Sequence, residues 1–332
     1  MMFFTNLLRV VFLLTLLLNA SLSGFSQTKE KIVASDLTRI KQVGGIAISP
    51  DGKRTVYTVT ALESATEALE YEYRTHLWLV DPETKTPPRA ITRGTESASQ
   101  PVWSPDGKSV AFVRAIKGKA QIFVMPLDGG EAWQLTDYKH GASGPQFSPD
   151  GRQILFSATP AFSALMADST LNPTKAGPAW SLEKAGFAKN EFLKKNTAKP
   201  NPDGTIEEIR AYLDKDVEDK KAKVINRLNF QGEASAGQEL NFSHLLVIEV
   251  KEGAKPIPLT KGFYTYAGAA WSADGKHIWF TTRADSLLHP DRDLESRICI
   301  MNADGSGMRT VLVEKGRTFG QPTPSPDGQW LA

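Results

Sequence analysis

Short apolar runs alternate with tight polar turns along most of the chain. Pro101-Val102-Trp103 precedes a Ser-Pro-Asp-Gly-Lys turn at 104–108, and Val110-Ala111-Phe112-Val113 follows it. Runs this short, rich in β-branched and aromatic residues and bounded by turn residues, predict strands joined in a hairpin. The turn phrase has a mechanical reading. Pro presets φ at the first central position, Asp can hydrogen-bond the nearby backbone, and Gly supplies the positive φ that reverses the chain. The phrase recurs at 49–53, 148–152, 272–276 and 325–329, with Arg last in the third copy, Ala second in the fourth and Gln last in the fifth.

Two more strand candidates follow each of the first four copies, counting the third across a long gap. Third strands are read at 76–80, 121–125, 245–248 and 298–301. A second polar turn comes next, and fourth short strands end near Ile91-Thr92, Leu135-Thr136, Leu259-Thr260 and Val311-Leu312. The repeated Asp stands at 51, 106, 150, 274 and 327, giving intervals of 55, 44, 124 and 53 residues. Three of these lie near the roughly 40–50 residues of a propeller blade. The predicted fold is all-β: an incomplete β-propeller of four-stranded antiparallel blades over residues 31–332, about four blades and the start of a fifth. Alternation within the strands is loose, as expected where neighbouring blades cover both faces of a sheet.

The long interval places an insertion in blade three, at about 160–244. Part of it reads helical. Thr205 and Glu208 form a Thr-x-x-Glu capping box. Ile206, Ile209, Leu213 and Val217 then recur on one helix face, which predicts a helix over 205–223 after a Pro- and Gly-containing loop at 199–204. Insertions this long in a compact fold are more often functional than idle.

The N-terminus is the one segment that addresses a membrane. Arg9 is followed by an apolar stretch at 10–18, polar only at Thr15, and then by small residues from Ala20 to Ser26. The stretch is too short for a span of about 20 residues and fits a secretory signal. Residues 1–26 are expected to be removed, leaving a secreted or periplasmic chain without a membrane span. At the other end, the fifth turn is followed only by Trp330-Leu331-Ala332. Blades bury their faces against neighbours, so an array stopping mid-hairpin is expected to continue in a longer protein.

Composition narrows function more than fold. Lys and Arg number 39 against 37 Asp and Glu, a net charge of +2. Nucleic-acid binding, which needs a clustered basic surface, is not expected. Cys299 is the single cysteine, which excludes an intrachain disulfide and any paired-cysteine site. In a predicted buried strand it reads as a small hydrophobe. His76, His140, His244, His277 and His289 show no metal-ligand spacing and read as strand or loop residues. The 289–293 segment lacks the Gly and terminal Glu of a calcium loop and reads as a solvated loop. Trp78, Trp103, Trp271, Trp279 and Trp330 fall at strand positions and are expected in blade cores. No metal or other cofactor is expected.

The turn phrase, the signal segment and the long insertion together resemble the prolyl oligopeptidase family of serine peptidases, especially secreted bacterial members of its dipeptidyl-peptidase and acylaminoacyl-peptidase branches. Ser-Pro-Asp-Gly-Lys also marks TolB-like periplasmic propellers. Repeat intervals near 55 and the Val224-Ile225-Asn226-Arg227-Leu228-Asn229-Phe230 stretch leading to His244-Leu245-Leu246-Val247 are similar to the peptidases. The resemblance implies a peptide substrate and a C-terminal α/β-hydrolase domain beyond Ala332. The family nucleophile sits in Gly-x-Ser-x-Gly, and Gly141-Ala142-Ser143-Gly144-Pro145 has the wrong spacing. The Ser, Asp and His of the triad are therefore expected outside this chain. The resemblance also implies that Glu207 and Glu208 bind the substrate's N-terminal ammonium, as a helix-borne Glu pair does in the dipeptidyl-peptidase branch. Read from the residues alone, the pair is the first turn of a capped, solvated helix. The alternative function is a TolB-like periplasmic propeller that acts as a protein-binding module.

Overall fold

The structure is a computed structural model that describes residues 33–64, 71–84, 86–180, 196–218, 239–283 and 287–332. The expected signal segment, the 224–230 stretch and the end of the 205–223 helix lie outside the described residues. Packing divides the described residues into a small unit, lying within 1–41 and 61–72, and a large one, lying within 42–60 and 73–332. In the small unit a 3-10 helix, Ala34–Arg39, opens where the Val33 amide donates to Asp36 Oδ2 at 2.9 Å.

Among the described residues sixteen strands form four sheets, each a meander in chain order. The first holds β1 (Gln42–Ile48), β2 (Thr55–Ser64), β3 (Tyr71–Val80) and β4 (Arg89–Ala90). The second holds β5 (Ala98–Trp103), β6 (Ser109–Ile116), β7 (Lys119–Pro126) and β8 (Trp133–Gln134). The third holds β9 (Ser143–Phe147), β10 (Gln153–Ala158), β11 (His244–Glu249) and β12 (Ile257–Pro258). The fourth holds β13 (Tyr266–Trp271), β14 (His277–Arg283), β15 (Ser296–Asn302) and β16 (Arg309–Leu312). In the large unit β5 lies beside both β1 and β9, so the first strands of successive sheets are neighbours, as in a propeller.

The second and third sheets are covered on both faces, and their side chains alternate between two cores. Ile154, Phe156, Leu246 and Ile248 of the third sheet pack on Ala111, Val113, Ile122 and Val124 of the second. Their chain neighbours Leu155, Leu245 and Val247 point the other way, onto Trp271, Ile278, Phe280 and Met301 of the fourth. This double burial is why the strands lack a polar face. Burying each such side chain is worth about 1.5–3 kcal/mol, so the interblade cores dominate stability.

The repeated turn works through local hydrogen bonds. At 104–109 the Gly107 amide donates to Ser104 O at 2.9 Å, and the Ser109 amide donates to Ser104 Oγ at 2.9 Å. Asp106 Oδ1 accepts from Ser104 Oγ at 2.6 Å and from the Lys108 amide at 3.0 Å. These bonds hold the Asp106 carboxyl below its ordinary range. Gly107 has φ +69°, which favours glycine. The same Ser–Asp bond forms at 49/51, 148/150, 272/274 and 325/327.

Two further repeated contacts were not foreseen. The threonine ending each of the first three blades accepts a third-strand amide: Leu77 to Thr92, Ile122 to Thr136 and Leu245 to Thr260, at 2.8, 2.8 and 2.9 Å. The first-strand tryptophans bridge blades: Trp103 Nε1 donates to Ala47 O at 2.9 Å and Trp271 Nε1 to Gln146 O at 3.3 Å. The expectation for tryptophan holds at two of the five positions. Trp103 and Trp271 are core residues, but Trp78 and Trp279 are only half-buried and Trp330 is 75% exposed, because no described sheet covers its face.

Candidate functional site

The ladder between β10 and β11 is continuous from Gln153↔Glu249 to Ala158↔His244, although 85 residues separate its last pair. The chain leaves at Thr159 and returns at Ser243. The two legs stay zipped beyond the sheet: the Phe162 amide donates to Leu240 O at 2.8 Å and the Phe242 amide to Pro160 O at 3.0 Å. A six-residue helix, α1 (Phe162–Ala167), follows. It has no sequence periodicity to reveal it, and burial of Leu165 stabilises it instead. Around it Phe162, Leu165, Leu171, Trp180, Phe242 and Phe263 form a separate aromatic core. Arg283 lies over the Trp180 ring at 5.2 Å and pairs with Asp293 at 3.5 Å, both side chains nearly buried. The 289–293 segment is thus not the solvated loop its sequence suggests. His289 also meets Trp180 edge-on, and the aromatic core draws this loop inward.

The root of the insertion is held by an ionic node. Asp168 follows α1, and its side chain is 1% exposed. Oδ2 accepts from His140 Nε2 at 2.6 Å and from Lys139 Nζ at 2.9 Å. Oδ1 accepts from the amides of Thr170 at 2.8 Å and Leu171 at 3.3 Å. Burial alone would raise this carboxyl, but the bonds from Lys139, His140 and the two amides outweigh it and hold it well below the ordinary range. Lys139 and His140 come from the β8–β9 loop, so the node ties blade two to the insertion. In sequence His140 reads only as a strand or loop histidine. Its partner lies 28 residues away and no local spacing could show the pair.

His244, the first residue of β11, is fully buried. Its Nδ1 lies 3.3 Å from Thr260 Oγ1, while Nε2 is buried without a hydrogen-bond partner among the described residues. Burial lowers its pKa to about 4, so the ring is neutral near pH 7.

Helix α2 (Ile206–Glu218) carries the expected Glu pair. The Thr205 amide donates to Glu208 Oε2 at 2.8 Å, and the Glu208 amide meets Thr205 Oγ1 at 3.4 Å, completing the capping box. Glu207 is exposed, and among the described residues nothing bonds its carboxylate. The expected apolar seam is only partly buried: Ile206 and Leu213 are 62% and 57% exposed, and Ala211 is the buried position. Among the described residues no hydrogen bond or ion pair joins the Glu pair to the Asp168 node. Among the described residues no three His, Cys, Asp or Glu side chains could hold a metal ion. None of the described helices is long and apolar enough to cross a membrane.

Residues 33–176 match the TolB beta propeller domain family, PD40. Strand order and blade turn define the class, a β-propeller of four-stranded antiparallel sheets, and the matched residues are similar to the TolB propeller domain. Part of the chain is also similar to proteins named as peptidases. It is 37% identical over 129 residues to the uncharacterized peptidase YuxL of Bacillus subtilis strain 168, covering 38% of this chain and 19% of that protein. It is 32% identical over 122 residues to dipeptidyl-peptidase 5 of Porphyromonas endodontalis, covering 37% of this chain and 17% of that one. The chain therefore spans less than a fifth of either relative's length. A solved acylaminoacyl peptidase in complex with Z-Gly-Gly-Phe-chloromethyl ketone is similar at TM-score 0.50 and 13% identity, over 83% of this chain and 33% of that one. At that identity it supports the fold alone.

Proposed function

We propose that this chain is the substrate-gating propeller portion of an exported serine peptidase that hydrolyses short peptides near their N-termini. The observation that carries this reading is the identity of 37% and 32% to two proteins named as peptidases. In this reading the catalytic Ser, Asp and His belong to an α/β-hydrolase domain outside residues 33–332. The propeller covers that domain's active site and admits only short or unfolded chains. Of the Glu pair, Glu207 is the better ammonium ligand, because Glu208 already spends an oxygen on the Thr205 amide. A charge-assisted contact there contributes about 1.5–3 kcal/mol. The test is hydrolysis by the full-length protein. It should cleave dipeptide amides and leave a folded protein of similar sequence content intact. Equal cleavage of both substrates would remove the gating role.

A second reading, a protein-binding module of the cell envelope, is favoured by the TolB family match over 33–176. It predicts a full-length protein that cleaves no dipeptide amide and retains a specific envelope protein in a pull-down.

A further inference from the structure

We propose that the cavity beside the Asp168 node is a carboxylate-binding site. On the peptidase reading above, on which this assignment of the ligand rests, it takes the free C-terminus of a short peptide. The cavity measures about 320 Å³ and is lined by Lys119, Lys139, His140, Ser143, Ser157 and Thr159, among others. The β6–β7 hairpin, the β8–β9 loop and the exit of β10 build it. In a meander these connections all lie at one end of the sheets, opposite the Asp-Gly turns. The insertion therefore leaves from the same end.

The lining is basic and contains no carboxylate. Asp168 sits behind it, with both oxygens committed to His140, Lys139 and two amides. The His140 side chain is only 10% exposed, and Asp168 fixes its ring through Nε2. Among the described residues nothing bonds its other nitrogen, Nδ1, which accepts in the neutral ring and donates only in the imidazolium, so the donors offered to an anion are those of Lys119 and Ser143. Lys119 is held by one bond, Nζ to Lys139 O at 3.0 Å, which leaves two N–H donors for a ligand. The Ser143 hydroxyl reaches Ser157 O only at 3.4 Å and can turn to a better acceptor. Oriented N–H and O–H donors of net positive charge, already held in place, suit an anionic acceptor. The volume lies at the low end for small-molecule sites, enough for a terminal residue and not for a whole peptide.

The test is NMR titration of the full chain with N-acetyl-Ala-Ala and with its C-terminal amide. The acetyl group removes any contribution from an ammonium site. The free acid is expected to shift the amide signals of Lys119, His140 and Ser143, and to bind about tenfold more tightly than the amide, the effect of one charge-assisted bond. Lys119→Met should lower affinity for the acid by about tenfold, and Lys119→Arg should restore most of it. Lys119 is exposed, so both variants should fold. Equal binding of acid and amide, or an unchanged affinity in Lys119→Met, would overturn the site. N-acetylglycine separates the two levels of the proposal. If it binds and the dipeptide acid does not, the carboxylate site stands and the peptide ligand falls. Loss of peptidase activity in the full-length protein leaves the titration unaffected.

Discussion

Replacing Asp168 with alanine tests how the blade-three insertion is held. The carboxylate is buried and takes four hydrogen bonds, from His140, Lys139 and the amides of Thr170 and Leu171. Lys139 contributes little, about 0.5 kcal/mol, because its side chain is 56% exposed and solvent screens the pair. The bond from His140 is worth about 1.5–3 kcal/mol, and stranding the amide of the fully buried Leu171 costs about 1–3 kcal/mol. The sum is roughly 3–6 kcal/mol. At about 2–4 °C per kcal/mol for a domain of this size, melting should fall by at least about 6 °C. Asp168→Asn should cost less, since its carbonyl still accepts both amides and its amino group can donate to a neutral His140. Calorimetry gives the melting shift, and amide exchange over 159–172 shows whether the insertion root opens first. The carboxyl is held below its ordinary 3.8, so its contribution is present above that value and is lost as pH falls through the lower, folded one. A melting point for Asp168→Ala within about 1 °C of the parent would refute this account, since the bonds counted above would then contribute nothing.

Three further outcomes follow from the geometry. His244 is held neutral by burial, with its pKa lowered from 6.5 to about 4, so stability should fall as pH drops from 6.5 towards 4. The full loss is about 3 kcal/mol, and urea midpoints at pH 7 and 4.5 should show that His244→Phe removes the slope. Gly268→Ala should cost more than Gly107→Ala in the same assay. Both have positive φ, a penalty of about 1–2 kcal/mol, but a Cβ at 268 would stand 2.8 Å from Gln321 Cα, whereas at 107 the nearest atom is the flexible Arg54 Nη2 at 3.7 Å. In the full-length protein, Glu207→Gln should lower kcat/KM for free-amine dipeptide amides about tenfold more than for N-acylated ones. Glu208→Gln, which keeps the cap, should have the smaller effect, and equal losses on both substrate classes would reject the ammonium role.

The parts of this fold that were legible in sequence are the ones built from near neighbours. The Ser-Pro-Asp-Gly turn could be read because its bonds run between residues two to five apart, as from Ser104 to Asp106 and Ser109. The Thr205–Glu208 cap was legible for the same reason. The Asp168–His140 node was not, because the fold alone brings β8–β9 and the end of α1 together. The seam of α2 misled for a related reason. Periodicity shows which residues share a face, yet the surroundings of Ile206 and Leu213 leave them in solvent. Trp330 repeats the lesson, since a strand-position tryptophan becomes core only where another sheet packs on it. Thr92, Thr136 and Thr260 stood in the predicted repeat, but their hydroxyl bonds to third-strand amides needed coordinates to be seen.

The central claim, a propeller that serves a serine nucleophile it does not itself contain, is tested most directly by active-site labelling. The full-length protein is treated with a fluorophosphonate, and the modified residue is mapped by mass spectrometry while dipeptide-amide hydrolysis is followed. The account predicts stoichiometric labelling of one serine outside residues 33–332, with hydrolysis lost in parallel. Labelling of a serine within 33–332, or hydrolysis that persists after stoichiometric labelling, would contradict it.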